Sequence, residues 1–166
     1  MSEVRFRGIP VVPMDKDAKP EWHGWVKDGF VYGYLIDNDV IVGSVIELEE
    51  DYFNTEFWCR VKPETVGQYT GLNDKNNQEI YTGDIVKTYL GNIGLVKCGE
   101  YVNEEHVMEY GGYDVMSDDL GGGIRKRVGY FVEHVDGACT GLDNKTDKWI
   151  DIIGNVHQNP ELLEVK

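Results

Sequence analysis

Cysteine is scarce in this chain. Cys59, Cys98 and Cys139 stand about forty residues apart, an odd set with no CxxC pair. That spacing excludes a disulfide framework and a thiolate zinc knuckle, and it fits reduced thiols in a cytoplasm. Basic residues are the second shortage, with 16 Lys and Arg against 30 Asp and Glu, for a net charge of −14. Residues 1–63 carry 7 basic and 12 acidic residues, and residues 64–166 carry 9 and 18. A surface of that sign repels phosphates and anionic lipid, so direct nucleic-acid or membrane binding is not expected. It suits a partner with a basic face. Long apolar runs are missing as well. No window approaches the ~20 apolar residues of a spanning helix, and the opening MSEVRFRGIP lacks the apolar core of a signal peptide. The expectation is a soluble cytoplasmic protein.

What the chain has is aromatics: ten Tyr, five Phe and four Trp. Each buries a large apolar area, so most of the length is expected to fold. The pattern is that of strands. Residues 3–8 (EVRFRG) alternate at period two. Residues 22–36 (WHGWVKDGFVYGYLI) hold two strand-like runs joined by Lys27-Asp28-Gly29, a hairpin signal because Asp-Gly accepts positive φ. Phe30, Tyr32, Tyr34 and Ile36 then share one face, and Val31, Gly33 and Leu35 the other. Gly24 and Gly33 leave room for a crossing backbone or a large ring. Asp37-Asn38-Asp39 makes a turn into the β-branched run 40–48, and the acidic residues 47–51 read as a solvated loop. Residues 57–61 resume a strand that Pro63 closes.

Residues 61–87 (VKPETVGQYTGLNDKNNQEIYTGDIVK) read as strand, polar turn and strand. Asn and Asp bond their own backbone and tolerate the left-handed region, so 73–78 is turn chemistry. A calcium loop is rejected, because the Gly and terminal bidentate Glu of an EF-hand are missing. Strands are expected at 84–89, 95–102, 128–134 and 149–156. A long excursion at 99–127 lies between the second and third of these. It carries seven acids without Lys or Arg up to Ile124, then Arg125-Lys126-Arg127, with a short helix expected near 103–110. Asn159 at N-cap and Pro160 at N1 open a final helical turn that offers Leu162 and Leu163 to the core. The total is about nine strands with little helix.

No catalytic constellation emerges. Gly121-Gly122-Gly123 beside Arg125-Lys126-Arg127 lacks a P-loop ending and leads into a strand, so it reads as a loop whose cations answer the acidic run. Asp118, Asp119, Asp143, Asp147 and Asp151 could converge on Mg²⁺. Among thirty acids, however, suitable spacings arise by chance. His23, His106, His134 and His157 lack zinc spacing. His134 and Cys139 are near in sequence, but the cysteines read as buried structural residues. No catalytic residue, cofactor or metal is assigned.

The segments EVRFRG, WVKDGFVYGYLI, VKPETVGQYTGLNDKNNQEIYTGDIVK and IIGNVHQNPELL, in that order from Glu3 to Leu163, resemble the YopX family of phage and prophage proteins. Its most specific part here is PETVGQ, YTGL and GDIV. Three departures stand out: the excursion at 99–127 is long for the family, and two residues differ. Asn77 occupies a place where members carry a turn Gly, and Thr82 one where an acid is common. The resemblance implies a mostly β protein with an SH3-like C-terminal barrel, and it implies no reaction. The barrel has its own argument: Gly83 bends the chain, Asp84 can accept backbone N–H groups, and four or five short antiparallel strands follow. The expected architecture is an N-terminal β subdomain, 1–62, and a linking hairpin with an SH3-like barrel, 63–166. The leading functional expectation is a non-enzymatic protein-interaction module of a phage or prophage. It would use aromatics such as Tyr32, Tyr69, Tyr81 and Trp149, and pairing of strand edges could also make it a homo-oligomer. Two alternatives stand beside it. One is an acidic DNA mimic that inhibits a host nucleic-acid enzyme through Glu104, Glu105, Asp118 and Asp119. The other is a metal-dependent hydrolase built on Asp118, Asp119 and Asp151.

Overall fold

The computed structural model describes residues 4–11, 25–102, 126–143 and 149–164. These residues form fourteen strands and two short 3-10 turns, so the protein is mostly β, and every ladder is antiparallel. The strands outnumber the expected nine because runs that look continuous in sequence are broken. The β-branched run 40–48, for instance, splits at Gly43-Ser44 into two strands. The chain divides into two units, Met1–Gly71 and Leu72–Lys166.

The first unit contains β1 (Phe6–Gly8), β2 (Val26–Lys27), β3 (Phe30–Ile36), β4 (Val40–Val42), β5 (Val45–Leu48), β6 (Phe53–Thr55) and β7 (Trp58–Arg60), and most of β8 (Gly67–Asn73). Its sheet runs β7-β4-β3-β1-β8, with β2 on β3, while β5 and β6 form a separate two-stranded ribbon. The Asp28-Gly29 turn has φ of 53° and 83°. Two positive values make the I′ geometry that matches strand twist, which is the hairpin expected from sequence. Val31 and Leu35 take the inner face, and Val31 joins Ile41, Cys59 and Val61 in the core. Gly33 receives a crossing backbone as expected, since a Cβ there would strike the carbonyl oxygen of Val42. Gly24 lies outside the described residues. Full burial of a side chain such as Ile41 contributes about 1.5–3 kcal/mol.

Pro63–Thr65 forms a 3-10 turn. The Thr65 hydroxyl donates to Lys62 O at 2.7 Å and accepts the Ile9 N–H at 2.9 Å, tying the turn to the chain after β1. Gly67 then lies opposite Arg7 in the β1–β8 ladder. The PETVG signature is therefore a structural joint.

The second unit contains β9 (Glu79–Tyr81), β10 (Asp84–Thr88), β11 (Ile93–Val102), β12 (Lys126–His134), β13 (Cys139–Gly141) and β14 (Ile150–Asn155). Ile80, Val86, Val96, Val132 and Ile150 form its core, with Leu72, Leu142 and Ile152 packed against it. The sheet order is β13-β12-β11-β10-β14. It ends at β13 on one side and β14 on the other, and no ladder joins those two among the described residues. The expected closure into a barrel is thus not part of the observed pairing; β13, at three residues, offers little edge for it. The excursion is shorter than 99–127. Gly99 pairs with Gly129 and Val102 with Lys126, so both stems belong to the β11–β12 ladder. The helix expected near 103–110, and Gly121–Gly123, lie outside the described residues.

The GDIV and IIGN motifs face each other. Asp84 lies opposite Asn155 and Ile85 opposite Gly154, and the register shifts between Ile85 and Val86. Gly83 has φ +88°, a left-handed value that favours glycine. Asp84, fully buried, accepts the Tyr81 N–H at 2.8 Å, while Asn155 Nδ2 donates to Gly83 O at 2.8 Å. Gly154 lies close against the last turn. A Cβ there would lie 2.7 Å from Leu162 Cδ1 and 2.9 Å from Asn159 Oδ1. Asn159 does not cap the closing 3-10 turn (Pro160–Leu163) with its side chain. Its Oδ1 instead accepts the Asn155 N–H at 3.3 Å.

Candidate functional site

The polar turn 73–78 is spoken for internally. Asp74 is buried; its Oδ1 accepts the N–H groups of Asn76 at 2.8 Å and Gln78 at 2.9 Å, and its Oδ2 accepts that of Ile152 at 3.2 Å. Asn77 has φ +64°, so Asn serves there in the conformation that a turn Gly would supply. Asp151 is occupied too: Lys75 Nζ lies 2.8 Å from its Oδ2, and Asn76 Nδ2 donates to its Oδ1 at 2.7 Å. The Lys75 hydrogen bond, more than its charge, holds the Asp151 carboxyl below the usual aspartate range. Asp143 is exposed, while Asp118, Asp119 and Asp147 lie outside the described residues. Among the described residues no three His, Cys, Asp or Glu side chains are grouped to hold a metal ion.

The histidines and cysteines disperse. His134 is buried on β12, and its Nε2 meets Thr140 Oγ1 at 3.0 Å. All three thiols are free, but they are not all buried as expected. Cys59 is buried and its thiol pKa is pushed up by that burial, Cys139 is half-buried, and Cys98 is exposed on β11. Lys126 Nζ lies 3.2 Å from Glu100 Oε1, an exposed pair linking the basic triplet to the first acid of the acidic run.

The aromatics singled out from sequence separate sharply. Trp149 is 57% exposed. Tyr81 is buried at 1%, with its hydroxyl donating to Glu79 Oε2 at 2.8 Å. Tyr32 and Tyr69 are half-buried, and the Arg5 guanidinium lies over the Tyr69 ring at 5.2 Å. Exposed apolar side chains gather in two places. One, in the second unit, is the β10–β11 turn with Tyr89 and Leu90, where the Tyr89 and Trp149 rings meet at 5.5 Å.

The other is the ribbon 40–60 of the first unit. Its base is the β4–β7 ladder, Val40↔Arg60 to Val42↔Trp58. It continues through Gly43 N–H to Phe57 O and Glu56 N–H to Ser44 O, at 2.9 and 2.8 Å, into β5–β6. Glu49 N–H to Tyr52 O, 3.0 Å, closes the tip. The pairing of β4 with β3 stops at Val42↔Tyr34, and β5–β6 has no third strand among the described residues. Phe57, stacked on Trp25 with ring centroids 4.7 Å apart, anchors the root.

Beyond that root the apolar residues are bare. Val45 is 55%, Ile46 68%, Leu48 76% and Phe53 52% exposed. The register places Val45 opposite Thr55 and Leu48 opposite Phe53, with a shift between Val45 and Glu47. That irregularity puts Val45 on the side of Leu48 and Phe53, whereas strict alternation would put it beside Glu47. Glu47 and Asn54 hold the other face, where Glu47 also accepts from the Tyr52 hydroxyl at 3.1 Å. Residues 47–51, expected as a solvated loop, are all exposed; 49–51 form the tip, but Glu47 and Leu48 belong to β5. The available signal was the acid-and-apolar alternation of VIELEEDYF with no cation from 40 to 59.

The family model for YopX protein matches residues 37–164, and so covers this ribbon, the β10–β14 pair and the last turn. No curated protein matches the chain. With well over half of its length matched, the chain belongs to the YopX family.

Proposed function

We propose that this YopX-family chain is a phage- or prophage-encoded cytoplasmic protein that works through protein contacts and not through catalysis. The observation that carries the reading is the β5–β6 ribbon, where Val45, Ile46, Leu48 and Phe53 are all more than half exposed on one short element. Contiguous apolar surface of this kind marks interaction sites, because leaving it in water forgoes burial energy. Tyr89, Leu90 and Trp149 add a second surface of the same chemistry in the other unit. The buried carboxylates support it from the opposite side. Asp74 and Asp84 spend their acceptors on backbone N–H groups, which is structural work.

The test is affinity capture from infected host cells, followed by reconstitution of each recovered pair from purified proteins, with light scattering of the chain alone. A reproducible direct partner is the expected result. No reconstituted partner together with a monomer in scattering overturns the reading, as does turnover of nucleic acid or phosphate esters with Mg²⁺ or Mn²⁺.

A further inference from the structure

We infer that the ribbon 43–57 is the docking element of this chain, and that its occupant is an extended segment of another protein in which apolar residues alternate with Lys or Arg. The inference rests on the protein-contact reading above and names its surface and partner chemistry.

Three observations fix the occupant. The first is the ribbon's two-sidedness: Val45, Leu48 and Phe53 on one face, Glu47 and Asn54 on the other. A strand laid along β6, where Phe53, Asn54 and Thr55 alternate without the irregularity of β5, alternates its own side chains at the same period of two, so apolar residues meet the first face and the intervening residues meet the second. The second is charge. Residues 40–59 include Glu47, Glu49, Glu50, Asp51 and Glu56 and no Lys, Arg or His. The cation next in sequence, Arg60, already pairs with Asp39 at 2.7 Å. Two copies joined through this ribbon would bring ten carboxylates together, and anionic lipid or nucleic acid would meet the same repulsion. A basic strand relieves it. The third is preorganisation. The ribbon is paired from Gly43 to the tip, with one irregularity before Glu47, and rooted by Phe57 on Trp25, so its two strands are already joined before binding. A two-stranded ribbon without a covering layer is marginal in water, and a third strand supplies the missing apolar contact.

The probe is a short synthetic peptide alternating Lys with Leu and Val, titrated by fluorescence anisotropy against the full chain. The controls are a Lys–Ser and a Glu–Leu peptide. The Lys–Leu peptide is expected to bind at least about tenfold more tightly than either control. The double substitution Leu48→Ser with Phe53→Ser, both on exposed positions, is expected to cost at least about tenfold in affinity. Glu49→Lys with Asp51→Lys is expected to do the same, with the thermal midpoint of each variant reporting the fold. Absence of saturable binding, equal binding of the Lys–Ser peptide, or undiminished binding by the Leu48/Phe53 variant overturns the inference. Loss of binding with Trp149→Ala in place of the ribbon variants overturns it while leaving the protein-contact reading standing on the second unit. A dimer in light scattering that the Leu48/Phe53 variant dissolves also overturns it, because the ribbon's occupant is then a second copy.

Discussion

Asp74 shows how a single carboxylate can fix a turn. Both its oxygens are filled by backbone donors, two within the turn and one from Ile152 on β14. Replacing it with Ala strands those buried donors, so Asp74→Ala should lower stability by about 3 kcal/mol in urea unfolding. Asp74→Asn should lose less, since an amide oxygen can still serve Asn76 and Gln78. A loss as small as that of an ordinary surface change would show that water replaces the carboxylate. The neighbouring Asp151 gives a pH prediction. Its folded carboxyl is held below the usual aspartate range, chiefly by the Lys75 hydrogen bond. A lowered value means stability is fully present above the unfolded pKa and is lost as pH falls through the folded one. In Lys75→Met the acid-side decline of the urea midpoint should therefore be shallower than in the unaltered chain. Parallel declines would remove Asp151 from the acid response. At this scale the sequence was legible where a residue's own backbone is its partner. Asn and Asp at 73–78 announce a turn, and Asn77 fills a left-handed site as an Asn can. It was opaque where the partner comes from another strand: nothing in NPELL reveals that Asn159 Oδ1 takes the Asn155 N–H.

At the scale of elements, strands declared themselves by alternation and by Gly-containing turns, and β3, β10, β11 and β14 lie close to where the pattern put them. The ribbon did not declare itself, because Glu47 sits inside a strand on a face that turns to solvent while its apolar neighbours also face solvent. Alternation normally separates an inner face from an outer one, and here neither is inner. Breaks such as Gly43-Ser44 and the register shift before Glu47 depend on pairing, which one strand's sequence does not contain. This arrangement predicts an unusual independence of stability from composition. Leu48→Ser with Phe53→Ser removes two large apolar side chains, yet Leu48 is 76% and Phe53 52% exposed already, so unfolding should shift by no more than about 1.5 kcal/mol. Native-state hydrogen exchange should be faster for amides of β5 and β6 than for those of β4 and β7. A loss of several kcal/mol from the double substitution would mean the ribbon is covered in solution by this chain itself.

For the whole molecule, the charge of −14 acts on every partner before any contact forms. Its effect is separable from the apolar one by salt. Between about 0.01 M and 1 M the screening length falls from about 30 Å to about 3 Å, so long-range attraction of a basic strand fades while close apolar contact persists. Affinity for the Lys–Leu peptide should fall steadily over that range and level off above zero, and the residue left at high salt should vanish in the Leu48/Phe53 variant. Duplex DNA should show no binding at either end. Charge reversal at Glu104, Glu105, Asp118 and Asp119 separates this from an acidic decoy. A decoy loses its inhibition of a host nucleic-acid enzyme with those four acids, whereas a strand held on the ribbon keeps its high-salt affinity and is weakened only where screening is weak. If peptide affinity collapsed at high salt to the level of the Lys–Ser control, total charge alone would account for the binding, and neither the register of β5–β6 nor its apolar face would have a part in it.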